Sequence, residues 1–178
     1  MLSARTFTLR PSDFGKVAEV TDESGAPLAA LRNGYLTTVD GTHLVGVAVH
    51  EPSGFRRDRV TDVALGVGDG QGRPAGGANI VKYGFGPRAR KLTLALRGAD
   101  GVERGRIEPA DDRGLELVAT YDGAEAARVS IEEVKAGFLR KDRIYTVRLA
   151  TEPDVLLLGS IIGFDALLHA AQGVSMRD

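Results

Sequence analysis

The segment spanning residues 152–172 constrains the fold of this chain more than any other feature of its sequence. Pro153 suits a first helical turn, Asp154 complements the positive end of a helix dipole, and Gly173 stands where a left-handed C-cap would end the helix. Between these signals the apolar side chains surround the helix axis: Val155, Leu157, Leu158, Ile161, Ile162, Phe164, Leu167 and Leu168. A helix without a broad polar face must be buried on all sides, so the rest of the chain has to enclose it.

The chain before residue 150 has the pattern of short β-strands joined by turns rich in Gly and Asp. Residues 5–10 alternate polar and apolar side chains with a period of two, and Asp40-Gly41 is a strong two-residue turn signal between two such runs. The strands that this pattern predicts cover residues 5–10, 16–21, 27–33, 35–39, 43–50, 79–83, 91–96, 102–107, 115–121, 125–130 and 143–150. The total is about ten to twelve strands. A sheet curled around the helix would bury it and would also remove exposed strand edges. We therefore predict a mainly β (α+β) fold, a closed antiparallel barrel around one buried C-terminal helix.

Length and composition indicate one domain over residues 1–178, because 43% apolar residues in a chain of this size suffice for a single core. Residues 69–77, Asp-Gly-Gln-Gly-Arg-Pro-Ala-Gly-Gly, are too rich in Gly for a strand interior and too poor in apolar groups to be buried. We expect a flexible loop there.

Charge and composition also exclude classes of function. The chain has 23 Lys and Arg against 24 Asp and Glu, a net charge of −1, which lacks the basic excess typical of nucleic-acid binding. It has no cysteine, which removes disulfides, thiol nucleophiles and thiolate zinc sites. The first residues show no signal-peptide pattern, and the apolar run 155–164 has about half the length needed to cross a bilayer. We expect a cytoplasmic protein without a transmembrane segment.

Four stretches carry a family resemblance. Residues 16–29, Lys-Val-Ala-Glu-Val-Thr-Asp-Glu-Ser-Gly-Ala-Pro-Leu-Ala, form a strand, an acidic turn with Gly and a second strand. Ala-Arg-Val-Ser at 127–130, Arg-Ile-Tyr-Thr-Val at 143–147, and the apolar run 157–165 that ends in Asp complete the pattern. This order of elements resembles the tubby-like superfamily, especially its LURP-one-related and phospholipid-scramblase-like branch. The resemblance implies a barrel of about twelve strands that encloses the helix.

Asp165 and His169 are the strongest candidates for chemistry, because a spacing of four residues on a helix brings their side chains together. They can form an acid/base pair in a cavity, or a buried polar pair with a structural role, and the second interpretation is favoured because a buried carboxylate needs partners whatever it does. His43 and His50 lie on opposite faces of one predicted strand and cannot share a metal ion. We expect no metal, no cofactor and no enzymatic activity.

Basic residues form three short clusters that could bind the phosphate groups of anionic lipids. The clusters are Arg56, Arg57 and Arg59; Arg88, Arg90 and Lys91; and Arg140, Lys141 and Arg143. The alternative is that they are solvated turns balanced by nearby acids.

Three functions therefore remain open. The first is a non-enzymatic interaction or structural module with an unknown protein partner. The second is peripheral binding of anionic phospholipid or a scramblase-like role, which requires the basic clusters to converge on one surface. The third is a barrel that binds a small ligand.

Overall fold

A computed structural model describes residues 4–51, 59–86, 89–135 and 141–175, with the backbone alone for residues 85, 86, 89, 90, 141 and 175. The described residues form twelve strands. The strands are β1 (Thr6–Ser12), β2 (Val17–Thr21), β3 (Pro27–Arg32), β4 (Tyr35–Thr38), β5 (His43–His50), β6 (Ala64–Asp69), β7 (Pro74–Gly86), β8 (Ala89–Gly98), β9 (Glu103–Pro109), β10 (Glu116–Tyr121), β11 (Ala124–Lys135) and β12 (Lys141–Leu149).

Each strand pairs antiparallel with its neighbours in sequence, and β1 also pairs with β12, so the sheet closes on itself. The closing register places Phe7 opposite Val147, and on its other edge β1 places Leu9 opposite Val20. All four of these side chains are buried inside the barrel. The predicted closed antiparallel barrel around a buried C-terminal segment is confirmed.

The C-terminal segment consists of two helices, α1 (Val155–Ile162) and α2 (Phe164–Ser175), whereas a single helix was predicted. Their axes differ by 52° at Gly163. A Cβ at Gly163 would lie 2.6 Å from Leu65 Cδ2, so any larger residue at the bend would have to displace the Leu65 side chain of β6. The prediction that Gly173 caps the helix was wrong, because Gly173 lies inside α2.

Helix α1 fills the barrel. The Asp154 carboxylate caps its N-terminus and accepts hydrogen bonds from the backbone N–H groups of Leu156, at 2.7 Å, and Leu157, at 3.3 Å. Every residue from Leu156 to Ile162 is buried. The helix packs against β5, β6, β7 and β8.

Strand β6 was not predicted, and the predicted loop 69–77 is shorter than expected. In β6, Leu65 and Val67 point inward, while Gly66 and Gly68 occupy the positions where a polar residue would normally mark a strand. Strand β7 begins at Pro74, so residues 74–77 are strand and only the turn between Asp69 and Pro74 remains. The Asp69 carboxylate orders that turn by accepting hydrogen bonds from the backbone N–H groups of Gln71 and Arg73, both at 2.9 Å.

The antiparallel order assigns the connections alternately to the two ends of the barrel. One end of the barrel holds the C-terminal residues of the odd-numbered strands, β1, β3, β5, β7, β9 and β11. We call it the mouth end. The chain enters α1 from the opposite end, after β12, and α2 reaches the mouth end, where it packs against the turn Asp13–Gly15 and the short helix Val60–Asp62.

Candidate functional site

A cleft of about 910 Å³ opens at the mouth end, between α2 and the wall formed by β2, β3, β5 and β6. Val45, Val47 and Val49 point to the same inner face of β5 because strand side chains alternate. Val45 is buried near α1, at Gly159, whereas Val47 and Val49 are half-buried and line the cleft. The bend at Gly163 therefore creates the cleft, because it leaves part of the apolar wall without a helix against it.

Helix α2 lines the cleft with small residues, one imidazole and the side chain of Gln172. Ala166, His169, Ala170 and Gly173 recur at the spacing of one helix face. Leu31 and Leu65, both buried, line the cleft on the barrel side. The polar groups among the lining residues are Asp13, Lys16, Asn33, Glu51, His169 and Gln172. The site thus combines apolar walls with six polar side chains.

The Asp165 carboxylate lies directly behind this face of α2 and receives three donors. Its Oδ1 accepts a hydrogen bond from the Tyr145 hydroxyl at 2.5 Å and from Arg143 Nη1 at 3.2 Å. Its Oδ2 lies 3.3 Å from His169 Nε2. Asp165 is 5% exposed, and a carboxylate buried this deeply needs such partners.

The surroundings keep Asp165 ionised. Burial acts to raise its pKa, but the hydrogen bonds from His169 and Tyr145 and the charge of Arg143 outweigh burial, so the pKa of Asp165 lies below its ordinary value. Burial and the neighbouring carboxylate raise the pKa of Tyr145 well above its ordinary value, so the phenol stays protonated and donates. The cluster is a carboxylate held by three donors.

His169 connects this buried cluster to the cleft. Its side chain is 33% exposed, and the Phe14 ring packs edge-on against it, with the ring centroids 5.5 Å apart. The sequence-predicted pair Asp165 and His169 is therefore in contact, with the carboxylate buried and the imidazole on the wall of the cleft. Whether the pair is structural stays a prediction.

The turn Asp13–Gly15 borders the mouth of the cleft in an unusual conformation. Asp13, Phe14 and Gly15 have φ values of 46°, 56° and 79°, a left-handed run that is costly for the first two residues. A Cβ at Gly15 would lie 2.4 Å from the backbone nitrogen of Ala166, so the turn packs directly on α2. This anchoring leaves Phe14 69% exposed beside His169.

The predicted lipid-binding residues have different surroundings. The prediction that Arg143 binds lipid was wrong. Its side chain is 9% exposed and lies 3.2 Å from Asp165 and 3.9 Å from Glu133, so it does not present its charge to a membrane. Lys91 Nζ lies 3.3 Å from Asp112, and Arg59 is exposed. Arg56, Arg57, Arg88 and Arg140 lie outside the described residues, and for Arg90 and Lys141 the backbone alone is described.

The strand order nevertheless places one described residue of each basic cluster at the same end of the barrel. Arg59 precedes β6, Lys91 lies near the start of β8, and Arg143 lies near the start of β12. All three strands start at the mouth end. Carboxylates occur at the same end, among them Asp13 and Glu51 in the lining of the cleft.

The histidines of β5 have other neighbours. His43 Nδ1 lies 2.8 Å from the Thr37 hydroxyl, and the ring packs against Tyr35. In the described part of the chain, no group of three or more His, Cys, Asp or Glu side chains could hold a metal ion. Among these same residues no single helix is long and apolar enough to span a membrane, although the bent pair α1 and α2 passes that test of length and composition together.

The partners of Asp165 could have been found in the sequence. Arg143, Tyr145, Val147 and Leu149 fall on alternate positions of β12, and the last three are buried, so strand periodicity places Arg143 on the inner face. A buried aspartate on the enclosed helix then calls for this arginine as a partner. The cleft left no such signal, because its walls come from six elements that only the fold brings together.

Comparison of the chain with protein-family models, with curated proteins and with solved structures gives no match. The functional assignment therefore rests on the geometry of the cleft and of the cluster behind it.

Proposed function

We propose that this protein is a non-enzymatic binding module that holds a small, mainly apolar molecule in the cleft between α2 and the barrel wall. The observation that carries the proposal is the incomplete cover of the inner face of β5, where Val47 and Val49 stay half-buried in a cleft of about 910 Å³. Pockets for small molecules are typically about 300–1,000 Å³ and mostly apolar. A ligand there would complete the burial that α1 provides deeper in the barrel.

The residues around the cleft favour binding over catalysis. Among the described residues that line the cleft there is no Ser, Thr, Tyr or Cys whose hydroxyl or thiol His169 could activate. The Asp165 carboxylate, which would have to support a basic histidine, is shared with Tyr145 and Arg143. The pair then serves to hold the imidazole in a fixed position on the wall.

Filling the cleft tests this proposal. The probe is N-phenyl-1-naphthylamine, an uncharged dye whose fluorescence rises in apolar surroundings. Ala170→Leu places a larger side chain on the α2 face of the cleft, and we expect dye affinity to fall at least about tenfold. Ala124→Leu adds the same atoms at the exposed first residue of β11, at the opposite end of the barrel, and serves as the matched control.

Dye binding that Ala170→Leu weakens and Ala124→Leu leaves unchanged supports the cleft as the site. Failure of the dye to bind, or equal affinities for the two variants, overturns the proposal. Thermal unfolding of both variants shows whether the barrel is intact.

A second candidate, peripheral binding of anionic phospholipid, is favoured by Arg59 and Lys91, which belong to two of the basic clusters and lie at the mouth end. Sedimentation with vesicles of phosphatidylcholine, with and without phosphatidylglycerol, tests it. Binding that requires the anionic lipid and weakens with salt supports this candidate, because salt screens such contacts. Binding that is indifferent to lipid charge overturns it.

Membership of the tubby-like superfamily is likewise a proposal. Its support is the order of strands and helix together with the four stretches of sequence quoted above.

A further inference from the structure

We propose that the ligand of the cleft is an uncharged apolar molecule with a hydroxyl head group that donates a hydrogen bond to His169 Nδ1. This inference rests on the proposed function and specifies its ligand class. It follows from the protonation pattern of the imidazole, from the charges in the lining of the cleft and from the nature of its walls.

The buried cluster determines which nitrogen of His169 carries the proton. Asp165 Oδ1 is taken by Tyr145 and Arg143, while Oδ2 lies 3.3 Å from His169 Nε2. A carboxylate can only accept, so Nε2 must be the donor to it. In the neutral imidazole Nδ1 then has a lone pair, and within the described residues no side chain or backbone group hydrogen-bonds that atom. The histidine thus offers the cleft an acceptor in a fixed position.

The charges in the cleft disfavour an anionic head group. The described lining residues include two carboxylates, Asp13 and Glu51, and one ammonium group, Lys16. Arg143, the buried cation beside Asp165, is already paired with that carboxylate and lies close to Glu133. A ligand carboxylate would therefore meet a net negative lining, whereas a hydroxyl needs no countercharge.

The walls select an apolar body for the rest of the ligand. Val47, Val49 and Leu65 face Ala166 and Ala170 across the cleft, so a hydrocarbon body placed between them would remove apolar surface from water on both sides. Phe14, exposed beside His169, lies where it can cover the head group.

Three compounds that share the same decyl chain and differ in their head group test this inference. We would measure how 1-decanol, decyl methyl ether and decanoate displace N-phenyl-1-naphthylamine at pH 8. The alcohol can donate to Nδ1, the ether cannot, and decanoate is anionic. We expect the alcohol to bind about three- to tenfold more tightly than the ether, as one net hydrogen bond predicts, and decanoate to bind most weakly.

Two variants of His169 then test the acceptor. His169→Leu should remove the preference for alcohol over ether, whereas His169→Gln, which keeps an acceptor oxygen, should retain part of it. A merely structural role for His169 would change the affinities of both compounds by the same factor. The dye affinity of each variant is measured directly, so the displacement values can be compared.

The outcomes distinguish this inference from the proposed function. If the dye does not bind the unmodified protein, both are overturned. If the dye binds, but decanoate matches the alcohol or His169→Leu preserves the alcohol preference, the head-group inference is wrong and the cleft remains a binding site.

Discussion

Replacing Asp165 with Asn tests the buried cluster that positions His169. The substitution keeps the shape of the side chain and removes its charge. The new amide oxygen can still accept from Tyr145 and Arg143 at the place of Oδ1, but the amide nitrogen at the place of Oδ2 cannot accept from His169. Arg143, whose side chain is 9% exposed, is left with Glu133 at 3.9 Å as its remaining carboxylate among the described residues within ion-pair distance.

The expected loss follows from that geometry. Removal of one partner of a buried ion pair typically costs about 3–5 kcal/mol. Because Glu133 still neutralises part of the Arg143 charge, we expect the lower end, about 3 kcal/mol of unfolding free energy. For a domain of this size, that loss corresponds to a Tm lowered by about 6–12 °C.

Urea denaturation followed by circular dichroism at pH 7 measures this loss. Asp112→Asn is the matched control, since Asp112 pairs with Lys91 on the surface with its side chain fully exposed, and we expect no measurable change in its midpoint. A loss below about 1 kcal/mol for Asp165→Asn would show that the carboxylate is not held as described.

The pH dependence of the unfolding free energy tests the role of the Asp165 carboxylate independently. Because the pKa of Asp165 is lowered from 3.8 in the folded protein, its carboxylate contributes stability that is complete above the unfolded pKa and is lost as pH falls through the folded pKa. The stability gap between the unmodified protein and Asp165→Asn should stay constant from about pH 7 to 5 and narrow below about pH 4. A gap that widens on acidification would contradict the assignment.

Three further changes test the packing around the helices, each by its urea midpoint. Gly159→Ala should lose about 1–3 kcal/mol, because its Cβ would lie 2.5 Å from Val67 Cγ1; an unchanged midpoint would mean that α1 sits further from β6. Asp154→Ala should lose about 1 kcal/mol by removing the N-cap of α1, and stability equal to the unmodified protein would contradict that role. Gly15→Ala combines a φ of 79° with a Cβ 2.4 Å from Ala166 N, and should lose about 2 kcal/mol; no loss would show that the turn does not rest on α2.

The barrel could be predicted from the sequence because burial leaves few alternatives for a helix without a polar face. The alternation of polar and apolar residues and the Asp-Gly turns then predicted most of the strand positions. For β5 the predicted bounds, residues 43–50, match those of the structure. Strand β6 was not predicted because Gly66 and Gly68 stand at the alternate positions where polar residues would have indicated a strand.

The site was less accessible from sequence than the fold. The spacing of Asp165 and His169 predicted their contact, because it depends only on local helix geometry. The cleft depends on the 52° angle between α1 and α2, and a glycine within an apolar helix does not by itself predict a bend. Arg143 was misread because its charged neighbours in sequence suggested a surface cluster, while strand alternation places it on the inner face.

Nuclear magnetic resonance of valine methyl groups with bound 1-decanol tests the cleft most directly. We predict intermolecular Overhauser effects from the decyl chain to the methyl groups of Val47 and Val49, which line the cleft. We predict none to Val67, which is buried against Gly159 of α1. Contacts to Val67, or contacts confined to residues outside the cleft, would contradict the account.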